Sequence, residues 1–348
     1  MNVRDARHQV KVAIAHLLYG LGLLQWWRRR VFRERAVVLM YHRVLDDEAR
    51  RRTGAHFGMV VARETFARQM ALLKTWCTPL SLAQFAAHLR EQRPFPDGAC
   101  LVTFDDGWTD NLEHAMPVLR REGIPAAIFL PVGFIGTRRQ FTREAFTHLV
   151  LRARDTSATT AAQAGAVRAV LASAAWDHLL DIGGSDPRPA VIAAIGEAPV
   201  DRTIEALVPA LSAALDLRVE DLDTPDTFMT WEQVDGLATS GVTFGAHGAE
   251  HKRLATLPPA ECDADVQRSK DVLAARLTPY VWGFAYPNGS CNESVAATVA
   301  THGFDVAFTT VPGTVSCTDP RMMVKRVNIH EDMTDSAPMF LARLVGLF

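Results

Sequence analysis

The chain has 348 residues, enough to bury the core of one barrel-sized domain or of two smaller ones. Apolar residues make up 48% and charged residues 22%, the balance of an ordinary globular protein. With 37 basic and 39 acidic residues the formal charge is −2, so no basic excess points to nucleic acid.

The five cysteines, Cys77, Cys100, Cys262, Cys291 and Cys317, are odd in number, widely spaced and without a CxxC pair. That pattern argues against a cysteine zinc site or a disulfide framework, and leans toward a reducing compartment.

The N-terminus holds an apolar stretch from Val12 to Trp27, followed by Arg28, Arg29, Arg30, Arg33 and Arg35. It falls short of the ~20 residues that cross a bilayer as a helix, and no small-residue cleavage site follows it. Paired tryptophans beside an arginine cluster suit a membrane interface. Residues 1–35 are therefore expected to form an apolar and basic helix. Three roles stay open for it: packing beneath the domain, contact with a membrane surface, and a signal-anchor. The expected location is the cytoplasm or a membrane surface; an uncleaved anchor would put the domain outside the cytoplasm.

From residue 36 strand-like and helix-like segments alternate. Apolar runs appear at AVVLMYH, ACLVTFDD, AAIFLPV, VTFGAHG, YVWGFAYP, DVAFTT and MMVKRVNIH. Between them, Thr65 to Trp76, Ser81 to Leu89, Leu112 to Arg121, Trp231 to Ala238 and Ala260 to Leu277 carry apolar spacing near the helical period. Glycine or proline marks the helix-to-strand joins, as in REGIP and TSGV. The alternation predicts an α/β fold with about seven parallel strands, closed into a (β/α) barrel over residues 36–348. Residues 139–228 break the rhythm, with no convincing strand and an alanine-rich stretch that reads as helix. They are expected to be a helical insertion on the barrel rim rather than a separate domain.

The chemistry starts at LVTFDDGWTD, residues 101–110. A buried strand that ends on Asp105 and Asp106 places two carboxylates at a strand mouth, where an aspartate must be paired or bound to a metal. DDG is also ordinary turn composition. After a later β-run, FGAHGAEH holds His247 and His251 four residues apart. Two neutral imidazoles and one carboxylate make three ligands and leave a fourth position for water, the pattern of a catalytic zinc site. The second carboxylate would then be free to act as a general base. FAYPNGS carries a Pro-x-Gly turn at Pro287–Gly289, whose backbone N–H could face an oxyanion. VNIH ends the last β-run on His330, a candidate general acid.

Taken in order, TFDDG, the HxxxH after a glycine, the aromatic-Pro-x-Gly turn and the strand ending in Ile-His resemble the polysaccharide deacetylase family, also called the NodB-homology domain or carbohydrate esterase family 4. The resemblance covers roughly residues 36–331 without the insertion. It takes in MYHRV at 40–44, IPAAIFLPVGFIG at 124–136 and MTWEQV at 229–234. It implies a deformed (β/α) barrel that removes acetyl groups from N-acetylated sugars with a divalent metal, usually zinc. It implies Asp105 as catalytic base, and Asp106, His247 and His251 as metal ligands. The Asn288 backbone N–H would help hold the oxyanion, and His330 would be the general acid.

Three positions depart from the family pattern. Gly248 stands where many members have Ser or Thr. Ala285 stands where many have an arginine that orients the catalytic aspartate, a job Arg326 could take over. Asn288 replaces a common aromatic. The implied substrate is an N-acetylhexosamine in a glycan or a lipid-linked sugar. A non-catalytic carbohydrate-binding protein on a degenerate barrel, or a deacylase of non-sugar amides, stays open beside it. An iron oxygenase would also use two histidines and a carboxylate, but leaves Asp105 and His330 without a task.

Overall fold

The computed structural model of the chain describes residues 3–155, 159–197, 202–240 and 242–348. They group into two compact units, Met1–Asp46 with Gly58–Gly136 and Phe228–Phe348 in one, and Asp47–Phe57 with Thr137–Thr227 in the other.

The first unit opens with α1 (Val3–Gly20) and α2 (Leu23–Val31). The single N-terminal helix expected from the apolar stretch is thus two. Gly20 and Gly22 flank Leu21, glycine is a poor helix former, and Gly22 takes φ 72°, a left-handed conformation that ends the first helix. There follow β1 (Ala36–Tyr41) and β2 (Arg43–Leu45), then α3 (Asp47–Arg52) of the second unit. The first unit resumes with β3 (Val60–Ala62), α4 (Arg63–Trp76), β4 (Thr78–Pro79), α5 (Leu82–Arg90), β5 (Ala99–Phe104), α6 (Met116–Glu122) and β6 (Ala126–Leu130).

The second unit supplies α7 (Thr142–Arg154), α8 (Ala161–Ala172), α9 (Arg188–Glu197) and α10 (Arg202–Leu215). The chain then completes the first unit with α11 (Trp231–Ala238), β7 (Thr243–Ala246), α12 (Pro259–Ala274), β8 (Gly283–Ala285) and α13 (Glu293–Thr301). Its last elements are β9 (Val306–Phe308), β10 (Thr314–Val315), β11 (Val327–Asn328), α14 (Glu331–Thr334) and α15 (Ala337–Leu344).

All seven apolar runs are strands of one sheet, in the order β10-β1-β5-β6-β7-β8-β9, with β11 on β1 and β4 on β5. Every pairing in it is parallel except β1 with β10. A parallel bridge between Phe308 and Val324 brings the approach to β11 against β9, so the sheet curls back toward β1. Strands β1, β5 and β6 are buried along their whole length. That explains their unbroken apolar sequence, since a parallel sheet of this kind is covered on both faces. The core between sheet and α5 holds Val38, Leu101, Phe129, Val306 and Phe308 with Leu82, Phe85 and Leu89. Because the strands run parallel, their C-terminal ends share one edge, and the residues after β1, β5, β7, β8 and β11 gather there.

The second unit contains no strand among its described residues and has a hydrophobic core of its own. Phe146, Leu149, Val167, Leu171, Ile195 and Leu211 pack in it. Residues 47–57 join it through a buried carboxylate. Asp226 accepts from the Thr53 hydroxyl at 2.6 Å and from the Gly54 N–H at 2.7 Å, and its Oδ2 lies 2.7 Å from His148 Nε2.

Candidate active site

Strand β5 runs Ala99–Phe104 with every residue buried, and Asp105 continues the ladder by donating its N–H to the Tyr41 carbonyl at 3.0 Å. The chain then turns sharply. Asp106 takes φ 74° and Gly107 φ 67°. Glycine is required at 107, because a Cβ there would sit 2.5 Å from the Leu130 side chain. Asp105 is 2% exposed and Asp106 1%, so both carboxylates need partners.

Asp105 finds one in Arg326, which is wholly buried and comes from just before β11. The two terminal guanidinium nitrogens donate to the two carboxylate oxygens, each at 2.7 Å. Arg326 is itself held, with Nε donating to the Thr309 carbonyl at 2.9 Å and the rings of Phe129 and Phe308 each 5.9 Å away. Burial alone would raise the Asp105 carboxyl. The Arg326 charge and its hydrogen bonds override burial and hold it well below the usual carboxylate range. Arg326 thus makes the contact that Ala285 cannot.

Asp106 faces the other way. Its Oδ1 lies 3.4 Å from Nε2 of His247 and 3.4 Å from Nε2 of His251. Its Oδ2 accepts from the Trp108 indole at 3.0 Å. Among the described residues this is the one trio of His, Cys, Asp or Glu side chains whose ligand atoms converge. His247 places Nδ1 2.7 Å from the Ala285 carbonyl, which can only accept. The proton therefore sits on Nδ1, and Nε2 turns a lone pair toward Asp106. Burial lowers His247 against the pull of Asp105, and lowers His251 further, with His247 adding to it. Both imidazoles are held neutral.

A divalent cation fits this donor set. The Nε2 lone pair of His247 and the Asp106 Oδ1 repel one another unless a cation lies between them, and Nε2 of His251 lies at the same distance from that oxygen. Ligands about 2.0–2.1 Å from a tetrahedral zinc lie about 3.3 Å from each other, close to the 3.4 Å found between Asp106 and each histidine.

Several residues that support the site were not singled out from the sequence. Asp265 on α12 accepts from the Ala249 and Glu250 N–H groups at 2.8 and 3.1 Å. It braces the His247–His251 loop from below, where Gly248 offers no side chain. Trp108 is stacked on Phe228 with centroids 4.3 Å apart, and the Arg43 guanidinium lies 4.3 Å over its ring. Arg43 is tied in turn to Asp110 at 2.6 Å. His42, within the MYHRV run, places Nε2 4.0 Å from Asp105 Oδ2, and burial pushes its imidazole down to about 4 against the attraction of Asp105.

The other two expected residues share the strand-end edge. Met40 is level with Asn328 and Tyr41 with Phe104, so His330, two past Asn328, is in register with His42 and Asp105. Asn288 is exposed in the turn after β8, at φ 55° and ψ 19°.

A sequence model described as Polysaccharide deacetylase matches residues 92–307. The chain belongs to the polysaccharide deacetylase family. YxkH of Bacillus subtilis (strain 168), which carries the name of a polysaccharide deacetylase, is 32% identical over 108 residues; the match spans 31% of this chain and 36% of YxkH. Two solved structures resemble more of the chain. The deacetylase PplD of Streptococcus pyogenes, solved with acetate, has a TM-score of 0.56 at 17% identity, over 89% of this chain and 98% of that one. IcaB from Ammonifex degensii has a TM-score of 0.54 at 20% identity, over 90% and 97%. At these identities the likeness speaks for the fold, a mixed α/β barrel of the NodB type.

Proposed function

We propose that this polysaccharide deacetylase family member is a metal-dependent hydrolase that removes the acetyl group from an N-acetylhexosamine. Its substrate is an N-acetylated glycan or a lipid-linked sugar, and the N-terminal helices are the part of the chain suited to meet a membrane surface. One observation carries the catalytic reading. Two adjacent buried carboxylates have opposite surroundings, Asp105 locked to an arginine and Asp106 aimed at two neutral histidines.

Asp106, His247 and His251 would hold the cation, expected to be zinc from the nitrogen and oxygen donors. When bound, it supplies Lewis acidity, which makes water acidic enough to deprotonate near neutral pH and polarises a carbonyl.

The protein's own groups do the rest. Asp105 accepts a proton from the attacking water, whose oxygen bonds to the acetamide carbon. Arg326 keeps Asp105 ionised and fixed in direction. It also weakens Asp105 as a base, a deficit that the Lewis acidity of a bound cation would offset. The Asn288 N–H donates to the oxyanion that develops on the carbonyl oxygen. As the C–N bond breaks, His330 gives its proton to the departing nitrogen. The products are acetate and a free amino sugar. His42, beside Asp105, lies where it can line the reacting groups.

Acetate release from N-acetylated chito-oligosaccharides tests the reading, using protein stripped with a chelator and then restored with zinc. Release that depends on metal and is strongly slowed by Asp105→Asn is the expected result. Binding of the oligosaccharide without any release would replace the hydrolase with a carbohydrate-binding protein.

A further inference from the structure

Of the eleven large apolar side chains left exposed among the described residues, seven lie on α1, α2 and the turn between them. Val10, Ile14, Leu17 and Leu21 recur at the spacing of one helix face, with Leu17 62% and Leu21 64% exposed. Beyond the Gly22 break the apolar surface continues with Leu23, Trp26 and Trp27. A stripe this long is unusual on a protein surface and marks an interaction site.

The opposite side of the same helices is fixed to the first unit. Ala15 and Leu24 are fully buried, and Phe32 nearly so. Tyr19 packs on Trp76 at 6.3 Å, Lys11 lies 5.5 Å over the Phe348 ring, and the Phe32 carbonyl accepts the Gly98 N–H at 3.2 Å. The helices are therefore part of the folded body, and their apolar face points outward from it.

We infer that this face docks in the plane of a bilayer carrying anionic headgroups. Charge complementarity decides the occupant. Arg29, Arg30, Arg33 and Arg35 are exposed at the end of the stripe, beside the two exposed tryptophans, and Arg30 lies 5.4 Å over the Trp26 ring. Tryptophan rings settle at headgroup depth, and arginines reach the phosphates above them. No helix among the described residues is long and apolar enough to cross a membrane, so the attachment is a one-sided one. Docking and catalysis are separable, and this attachment holds whether or not the catalytic reading does.

The test uses the full chain and sedimentation with vesicles, either of phosphatidylcholine alone or of equal parts phosphatidylcholine and phosphatidylglycerol. Wild-type protein should bind the anionic vesicles, with its tryptophan emission shifted to shorter wavelength, and bind neutral ones far less. Leu17→Glu with Leu21→Glu should abolish binding. Arg29→Ala, Arg30→Ala and Arg33→Ala together should weaken it by roughly 10²-fold on anionic vesicles. Trp26→Ala with Trp27→Ala should remove the emission shift. All of these side chains are exposed, so thermal unfolding should match wild type. Deleting the segment is a poorer test, because it would uncover Leu24 and Phe32. Failure to bind anionic vesicles, or binding unaffected by the two glutamates, would overturn the inference. So would a concentration-dependent dimer that the two glutamates split, because the face would then belong to a second copy of the chain.

Discussion

Replacing Arg326 by methionine tests the electrostatic core of the site. Methionine keeps much of the length and leaves Asp105 in place, but removes two charge-assisted hydrogen bonds of 2.7 Å from a carboxylate that is 2% exposed. Little solvent is available to screen the orphaned charge. Breaking a buried pair by removing one partner costs about 3–5 kcal/mol. That loss should appear near neutral pH as a shift of the urea midpoint, measured on metal-stripped protein so that no cation substitutes for the arginine.

The pH dependence is the sharper readout. In the wild type the folded carboxyl is held below its unfolded value, so its stabilisation is complete above the ordinary carboxylate range. It is lost as the pH falls through the folded value. In the variant, burial acts alone and raises the folded value. The penalty is then present above that raised value and fades as acid protonates Asp105. The gap between the two proteins should therefore be widest near neutrality and narrow steadily with acid. A gap that is small at neutral pH, or constant from neutral to acid pH, would refute the claim that Arg326 keeps a buried charge on Asp105.

Asp106→Ala should lose metal after dialysis, whereas Asp105→Asn should retain it and slow turnover by on the order of 10²–10⁴; elemental analysis beside acetate release separates the two, and the reverse pattern would exchange the roles. Trp108→Phe keeps the stack on Phe228 but deletes the donor to Asp106, so metal affinity should fall by roughly 10-fold or more in chelator competition. Gly107→Ala combines a φ of 67° with a Cβ only 2.5 Å from Leu130, and should cost at least about 2 kcal/mol in chemical denaturation; a neutral result would show that the turn after β5 can rearrange.

The strands were legible because parallel strands buried on both faces must be apolar throughout, and such runs stand out in AVVLMY and ACLVTF. What escaped were pieces too short for any period to show, such as β4 and β10 with two residues each. The helix expected from Leu112 to Arg121 is a π-turn at Asn111–Ala115 followed by α6, an irregularity that apolar spacing does not encode. The tie between Thr53 and Asp226 spans 173 residues and leaves no local trace, so residues 47–57 could not be assigned to the second unit from the sequence. In the site, the DDG and HxxxH residues announced themselves by residue type. Arg326 was suggested only by the missing arginine at Ala285. His42, Trp108 and Asp265 had weaker signals. A tryptophan directly after DDG and a histidine ending the first β-run were available hints, but Asp265 braces its loop through the backbone and leaves no sequence pattern.

The fate of the two aspartates follows from a backbone feature rather than from the carboxyl groups themselves. Asp105 is still extended and points into the sheet curl where Arg326 waits. One residue later φ becomes positive, which costs a non-glycine residue about 1–2 kcal/mol, and Asp106 is swung to the histidines. The strained residue is held from its C-terminal side, by the turn at Gly107 and by Trp108. The Met229 N–H donates to the Gly107 carbonyl at 3.0 Å, and the indole holds Oδ2. Adjacent identical residues thus acquire unlike chemistry from a single left-handed turn. The position of that turn, where a Cβ at Gly107 would meet Leu130, decides which carboxylate meets Arg326 and which meets the two histidines.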